Sequence, residues 1–131
     1  MEIDILFADA DESLREIYCD YFARKGLTIE TARDDLECAI KMRELSPHFL
    51  IIDLELFDDD AAVMSSSSLL LDDVPVTIVT GDESPSRLSE QSGVPVSYCF
   101  QKPYSFMALL ERMRAPVSRK SVVVPPESSC L

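Results

Sequence analysis

Four side chains in this chain stand where a short apolar run stops: Asp9 after "ILFA", Asp53 after "FLII", Thr80 after "VTIV" and Lys102 after "SYCFQ". They are two carboxylates, a hydroxyl and an amine. Two carboxylates suit Mg²⁺, which binds one or two carboxylates together with phosphate oxygens and waters. A hydroxyl and an ammonium both bond phosphate oxygens. A carboxylate among them can itself attack phosphorus. Taken singly, an Asp or Thr after a strand is an ordinary turn or cap residue. Four of them at four strand ends describe a phosphoryl site. Asp9 and Asp11 are also spaced by one residue in "ILFADADES", so Asp9 alone reads as a nucleophile, a metal ligand or the remnant of a site that has lost a partner.

The elements that must position these groups follow from the hydrophobic pattern. Strand-sized apolar runs cover Ile3–Ala8, Leu27–Thr31, Phe49–Ile52, Pro75–Val79 and Val96–Phe100; near-continuous runs of this kind suit buried parallel strands. Helical spacing begins after Asp11 with Leu14, Ile17, Tyr18, Tyr21 and Phe22, and Gly26 stops it. A second helix opens at Asp34 or Asp35, carries Leu36, Ala39, Ile40 and Met42 inward, and ends near Ser46-Pro47. A third covers Ala61–Leu71, although its serines are poor helix interior. A fourth covers Glu83–Ser92 and closes at Gly93. Ser105 caps the last, with Phe106, Leu109, Leu110 and Met113 on one side. Strand and helix alternate five times, which predicts a doubly wound α/β fold around a five-stranded parallel sheet. Ligands of such sheets sit beyond the carboxyl ends of the strands.

Bulk properties narrow the function. The chain has 131 residues, 47% of them apolar, and a formal charge of −12, which fits one domain and disfavours nucleic acid. No apolar run has membrane length and "MEIDIL" lacks a basic leader, so no membrane association and a cytoplasmic location are expected. Cys19, Cys38, Cys99 and Cys130 show no metal-ligand spacing and read as reduced, mostly buried thiols. His48 reads as a loop residue. The domain is expected over 1–114, followed by a flexible tail over 115–131 rich in Pro and Ser, so no effector domain is expected after it.

Over about residues 2–114 the chain resembles a receiver domain of the two-component response regulators, the CheY-like superfamily. The matching stretches are "ILFADADESLREI", "TARDDLECAI", "FLIIDLEL", "VTIVTG" and "QKPY". The resemblance implies a flavodoxin-like (βα)5 three-layer sandwich with strand order 2-1-3-4-5. It implies that Asp53 is the phosphoacceptor, Thr80 the switch hydroxyl and Lys102 the lysine of the site, followed by a cis bond to Pro103. It implies Mg²⁺ held by Asp9, Asp53 and the backbone carbonyl of Glu55. The implied donor is a sensor histidine kinase or a histidine phosphotransfer protein. The implied output is a downstream protein contact through the fourth helix, fifth strand and fifth helix. No enzymatic activity is implied beyond self-catalysed phosphotransfer and dephosphorylation.

Three departures qualify this. The second acid that usually follows the first strand is Ala10 here, which weakens the expected Mg²⁺ site; Asp11 or Asp58 to Asp60 are the candidates to compensate. The switch aromatic falls on Cys99, with Tyr98 facing the opposite side of the strand. "LFDDDAA" lacks the usual turn residues at Phe57 and Ala61. Two other readings stay open. One is a receiver-like module that binds protein without being phosphorylated. The other is a haloacid dehalogenase-type phosphatase with Asp9 as nucleophile and Asp11 as acid/base, whose opening motif "ILFADADES" also fits.

Overall fold

The computed structural model describes residues 2–57 and 75–115. The expected third helix (61–71), the acids Asp58 to Asp60, Cys130 and all but the first residue of the expected tail lie outside them. Within the described residues the order is β1 (Ile3–Ala8), α1 (Glu12–Arg24), β2 (Ile29–Ala32), α2 (Asp35–Leu45), β3 (Pro47–Asp53), β4 (Val76–Gly81), α3 (Pro85–Ser92), β5 (Cys99–Gln101) and α4 (Phe106–Arg114). A 3₁₀ turn, Leu54–Phe57, leaves β3, and another, Val96–Tyr98, precedes β5. The strands form one parallel sheet of order 2-1-3-4-5, the doubly wound architecture read from the sequence. No helix among the described residues is long and apolar enough to cross a membrane.

Local chemistry sets the helix starts. The side chains of Asp11, Asp34, Ser84 and Ser105 accept from the N–H groups of Leu14, Glu37, Arg87 and Ala108, each satisfying a donor that has no partner inside its helix. Gly26, at φ 84°, takes the left-handed turn after α1. The core has two halves, one on each face of the sheet. One gathers Leu6, Leu50, Ile52, Val79, Leu88 and Cys99; the other gathers Ile5, Phe7, Tyr18, Phe22, Ile51 and Leu109. Alternate residues of β1 and β3 thus feed opposite faces, as the pleat requires, and both faces are covered.

Four expectations are corrected. The fifth strand begins at Cys99, not Val96, because Val96–Tyr98 winds into a turn in which the Tyr98 N–H donates to the Pro95 carbonyl at 2.9 Å. His48 belongs to β3, exposed near Glu2 and Asp4, rather than to a loop. On α2, Leu36 and Ile40 face outward, while Met42 is buried as expected and Cys38 enters the core beside it. Ile17 on α1 is also exposed.

Candidate functional site

The carboxyl ends of β1, β3, β4 and β5 bring the four groups together. The register pairs Asp53 with Thr80 across β3 and β4. Asp9 follows β1 directly, its N–H donating to the Ala32 carbonyl at 3.0 Å. Lys102 follows β5, and its backbone N–H donates to the Gly81 carbonyl at 2.7 Å. The Lys102–Pro103 bond is cis. Asp9, Asp53 and Thr80 are the buried polar residues among those described, at 2%, 3% and 0% exposure. Buried polar groups demand partners, so where those partners are, and where they are not, defines the site.

Lys102 Nζ lies 3.1 Å from Asp9 Oδ2 and 3.5 Å from Asp53 Oδ2. The ammonium therefore bridges both acids and sits nearer to Asp9. The other oxygen of Asp9, Oδ1, accepts from the Asp11 N–H at 2.9 Å. Asp53 Oδ1 and Thr80 Oγ1 are buried with no hydrogen-bond partner. One carboxylate oxygen and one hydroxyl are thus left for a group from outside.

Charge follows the same geometry. Burial, with Asp9 and Glu55 nearby, outweighs the Lys102 ammonium and pushes the Asp53 carboxyl up to about 6. Burial works against the Lys102 ammonium, but its bond to Asp9 and the charge of Asp53 prevail and hold its pKa above the ordinary value. Asp11 caps α1 and is exposed, so it does not join Asp9 as a second catalytic acid, and the phosphatase arrangement is not favoured. Ala10 is exposed and contributes a methyl group. Glu55 lies in the 3₁₀ turn after Asp53 with an exposed side chain.

A divalent cation has donors here in Asp9, Asp53 and the chain just after it. The unpartnered Asp53 Oδ1 fits such an ion, whose remaining positions water and phosphate oxygens would fill. No group of three or more Asp, Glu, His or Cys side chains suited to a metal occurs among the described residues.

Three residues at the site have no role assigned to them in the motif reading. Arg15, on α1, donates from Nη1 to the Asp9 carbonyl at 2.8 Å. Gln101 donates from Nε2 to the Asp82 carbonyl at 3.1 Å, tying the end of β5 to the loop after β4. Gly81 lies so close to α3 that a Cβ there would meet Leu88 Cδ2 at 2.8 Å. Cys99 and Tyr98 do face opposite sides: Cys99 packs with Leu88, and Tyr98 with Leu109 under the Arg112 guanidinium.

No family model matches the chain. It is 26% identical over 132 residues to the response regulator MprA of Mycobacterium sp. (strain KMS), an alignment covering all of this chain and 57% of that protein. The chain therefore spans little more than half the length of this relative. A response regulator protein from Burkholderia pseudomallei, solved with a phosphorylated aspartic acid, a calcium ion and citrate, superposes with a TM-score of 0.72 at 16% identity, covering 86% of this chain and 67% of that one. The fold is that of a response-regulator receiver domain. The receiver domain of Saccharomyces cerevisiae Ssk1, solved with the histidine phosphotransfer signalling protein Ypd1, shares it with a TM-score of 0.64 at 15% identity, covering 86% of each chain. In this receiver fold the strand-end cluster of Asp9, Asp53, Thr80 and Lys102 occupies the position where ligands of doubly wound sheets bind.

Proposed function

We propose that the chain is a cytoplasmic receiver that accepts a phosphoryl group on Asp53 from a phosphohistidine of a sensor histidine kinase or a histidine phosphotransfer protein. The observation that carries this reading is the pair of buried, unpartnered oxygens, Asp53 Oδ1 and Thr80 Oγ1, beside the Lys102 ammonium. A carboxylate oxygen of Asp53 attacks phosphorus, the P–N bond breaks, and the imidazole leaves with its electron pair and takes a proton from solvent. The result is an acyl phosphate on Asp53. Lys102 moves its ammonium from the carboxylates to the phosphoryl oxygens. Thr80, adjacent to Asp53 in register, donates its hydroxyl to them and gains the partner it lacks. Asp9, Asp53 and the Glu55 carbonyl are the groups to hold Mg²⁺, which would neutralise charge on the transferring group.

Thr80 lies in β4 directly before Gly81, whose backbone lies against Leu88 of α3, so its new bond biases the surface made by α3, β5 and α4 toward a second arrangement. A downstream protein reads that surface. The reading is tested by incubating the chain with acetyl phosphate and following intact mass. The wild type gains one phosphoryl group, and Asp53→Asn gains none. Labelling that survives in Asp53→Asn and is lost in Asp9→Asn points to Asp9 as the nucleophile and overturns the proposal. No labelling of either leaves a protein-binding module that is not phosphorylated.

A further inference from the structure

β2 is an end strand of the sheet, and an end strand turns a row of backbone groups away from any neighbour. The ladder to β1 fixes which ones. The Ile5 N–H donates to the Thr28 carbonyl and the Asp9 N–H to the Ala32 carbonyl, with Ile5 beside Ile29 and Phe7 beside Thr31. In a parallel pair, alternate residues turn their backbone groups to the neighbour. Those of Ile29 and Thr31 therefore point away from β1, as does the N–H of Arg33 just after the strand. α2 answers two of these groups. Lys41 Nζ donates to the Thr31 carbonyl at 2.7 Å, and the Arg33 N–H donates to Glu37 Oε1 at 2.8 Å. Glu37 and Lys41 stand one helical turn apart and pair at 3.6 Å. Lys41 also meets Glu30 of β2 at 3.5 Å. The Arg33 N–H holds the Glu37 carboxyl below its ordinary value. Lysine side chains are mostly left in water, yet this one lies along the strand edge at 26% exposure.

We propose that Glu37 and Lys41 close the open edge of β2 against a second copy of this chain. Without them the edge is self-complementary. Two copies related by a two-fold axis would pair β2 antiparallel about Thr31, whose N–H and carbonyl exchange bonds with those of Thr31 in the other copy. The Arg33 N–H of each copy then meets the Ile29 carbonyl of the other. This pairing needs the Thr31 carbonyl and the Arg33 N–H, the two groups that α2 already occupies. The strand itself, "IETA", does not forbid it. It carries no Pro to interrupt a ladder. In this register Glu30 stands opposite Ala32 of the other copy, so like charges do not meet, and Thr31 opposite Thr31 is a favourable cross-strand pair. The charged pair from α2 is therefore what blunts the edge. An incoming strand runs about 4.8 Å beyond β2, through the space that the Glu37 and Lys41 side chains fill, and has to displace both charges. None of this involves the strand-end cluster, so it stands apart from the phosphoacceptor reading of Asp53.

Sedimentation velocity over a range of concentrations, with amide exchange read by NMR, tests this. The chain carrying Glu37→Ala and Lys41→Ala together is expected to self-associate about tenfold more tightly than the wild type, the gain that two hydrogen bonds of ordinary net strength supply. Its Ile29 and Thr31 amides should gain protection as concentration rises, while those of the wild type do not respond. A folded double variant that sediments as the wild type does at every concentration overturns the proposal. So does tighter association that leaves the Ile29 and Thr31 amides unprotected, because the copies then meet elsewhere. Protection of those two amides with concentration in the wild type also overturns it, because the edge is then open already. Should the double variant not fold, Lys41 alone decides. Lys41→Met keeps the apolar stem without the ammonium and is expected to associate through the same amides, whereas Lys41→Arg keeps a charged donor and should behave as the wild type. Lys41→Met that sediments like the wild type overturns the proposal.

Discussion

Asp53 carries a measurable burden in the folded chain. Its carboxyl is held up to about 6 chiefly by burial, against an ordinary value near 3.8. Between those values the unfolded chain loses its proton while the folded chain keeps it, so this residue's contribution to stability falls as pH rises from about 4 to about 6 and is level above. Asn at the same place does not titrate. Urea unfolding in EDTA should therefore show the stability of Asp53→Asn relative to wild type rising by on the order of 2 kcal/mol between about pH 4 and pH 7. A difference independent of pH would show that Asp53 is not held proton-rich by the fold. The four strand-end groups were legible in the sequence because each directly follows, or nearly follows, an apolar run, and a parallel sheet brings such ends together. Arg15 and Gln101 were not, since each is bonded to a backbone carbonyl, of Asp9 and of Asp82, that no side-chain pattern reports. The sharing of Lys102 between Asp9 and Asp53 was likewise invisible: spacing tells which groups meet, not which oxygen lies nearer.

At the scale of elements, the close approach of β4 to α3 is the joint between the site and the surface proposed to signal. Gly81 directly follows Thr80, and its backbone lies against Leu88, a fully buried side chain on α3. Adding one methyl in Gly81→Ala forces Leu88 aside in a filled interior, with an expected cost of about 1–3 kcal/mol, readable as a lowered urea midpoint with an unchanged slope. No loss of stability would mean that α3 moves away easily. Element order and strand ends followed from periodicity, but faces and lengths did not always. On α2, Leu36 and Ile40 form one apolar stripe and Cys38 and Met42 another; both have helical spacing, and only packing on the sheet decides that the second is buried. Before β5, "VSY" has strand composition, yet it follows Pro95 and closes a 3₁₀ turn onto the Pro95 carbonyl, so the strand keeps only three residues.

Across the whole molecule, 24 acidic residues against 12 basic ones give the formal charge of −12. Self-repulsion of that excess acts on the compact state, whereas the ion pairs opposing it are mostly exposed. Arg24–Asp20 and Arg33–Asp34 have side chains more than half exposed and contribute little; Lys41, shared by Glu30 and Glu37, is better placed. Salt weakens repulsion and pairing alike, but the repulsion is summed over many acids at long range, which screening removes first. Raising KCl from about 0.01 M to about 1 M shortens the screening length from roughly 30 Å to roughly 3 Å. The thermal midpoint should then rise by several degrees, on a scale of roughly 4 °C for each kcal/mol. The Asp9–Lys102–Asp53 bridge is buried and short-ranged, so salt should leave it largely intact, and the same rise is expected in Asp53→Asn. A midpoint that falls with salt would show that the exposed pairs outweigh the repulsion. A rise in wild type that disappears in Asp53→Asn would place the strain in the site and not across the acidic surface.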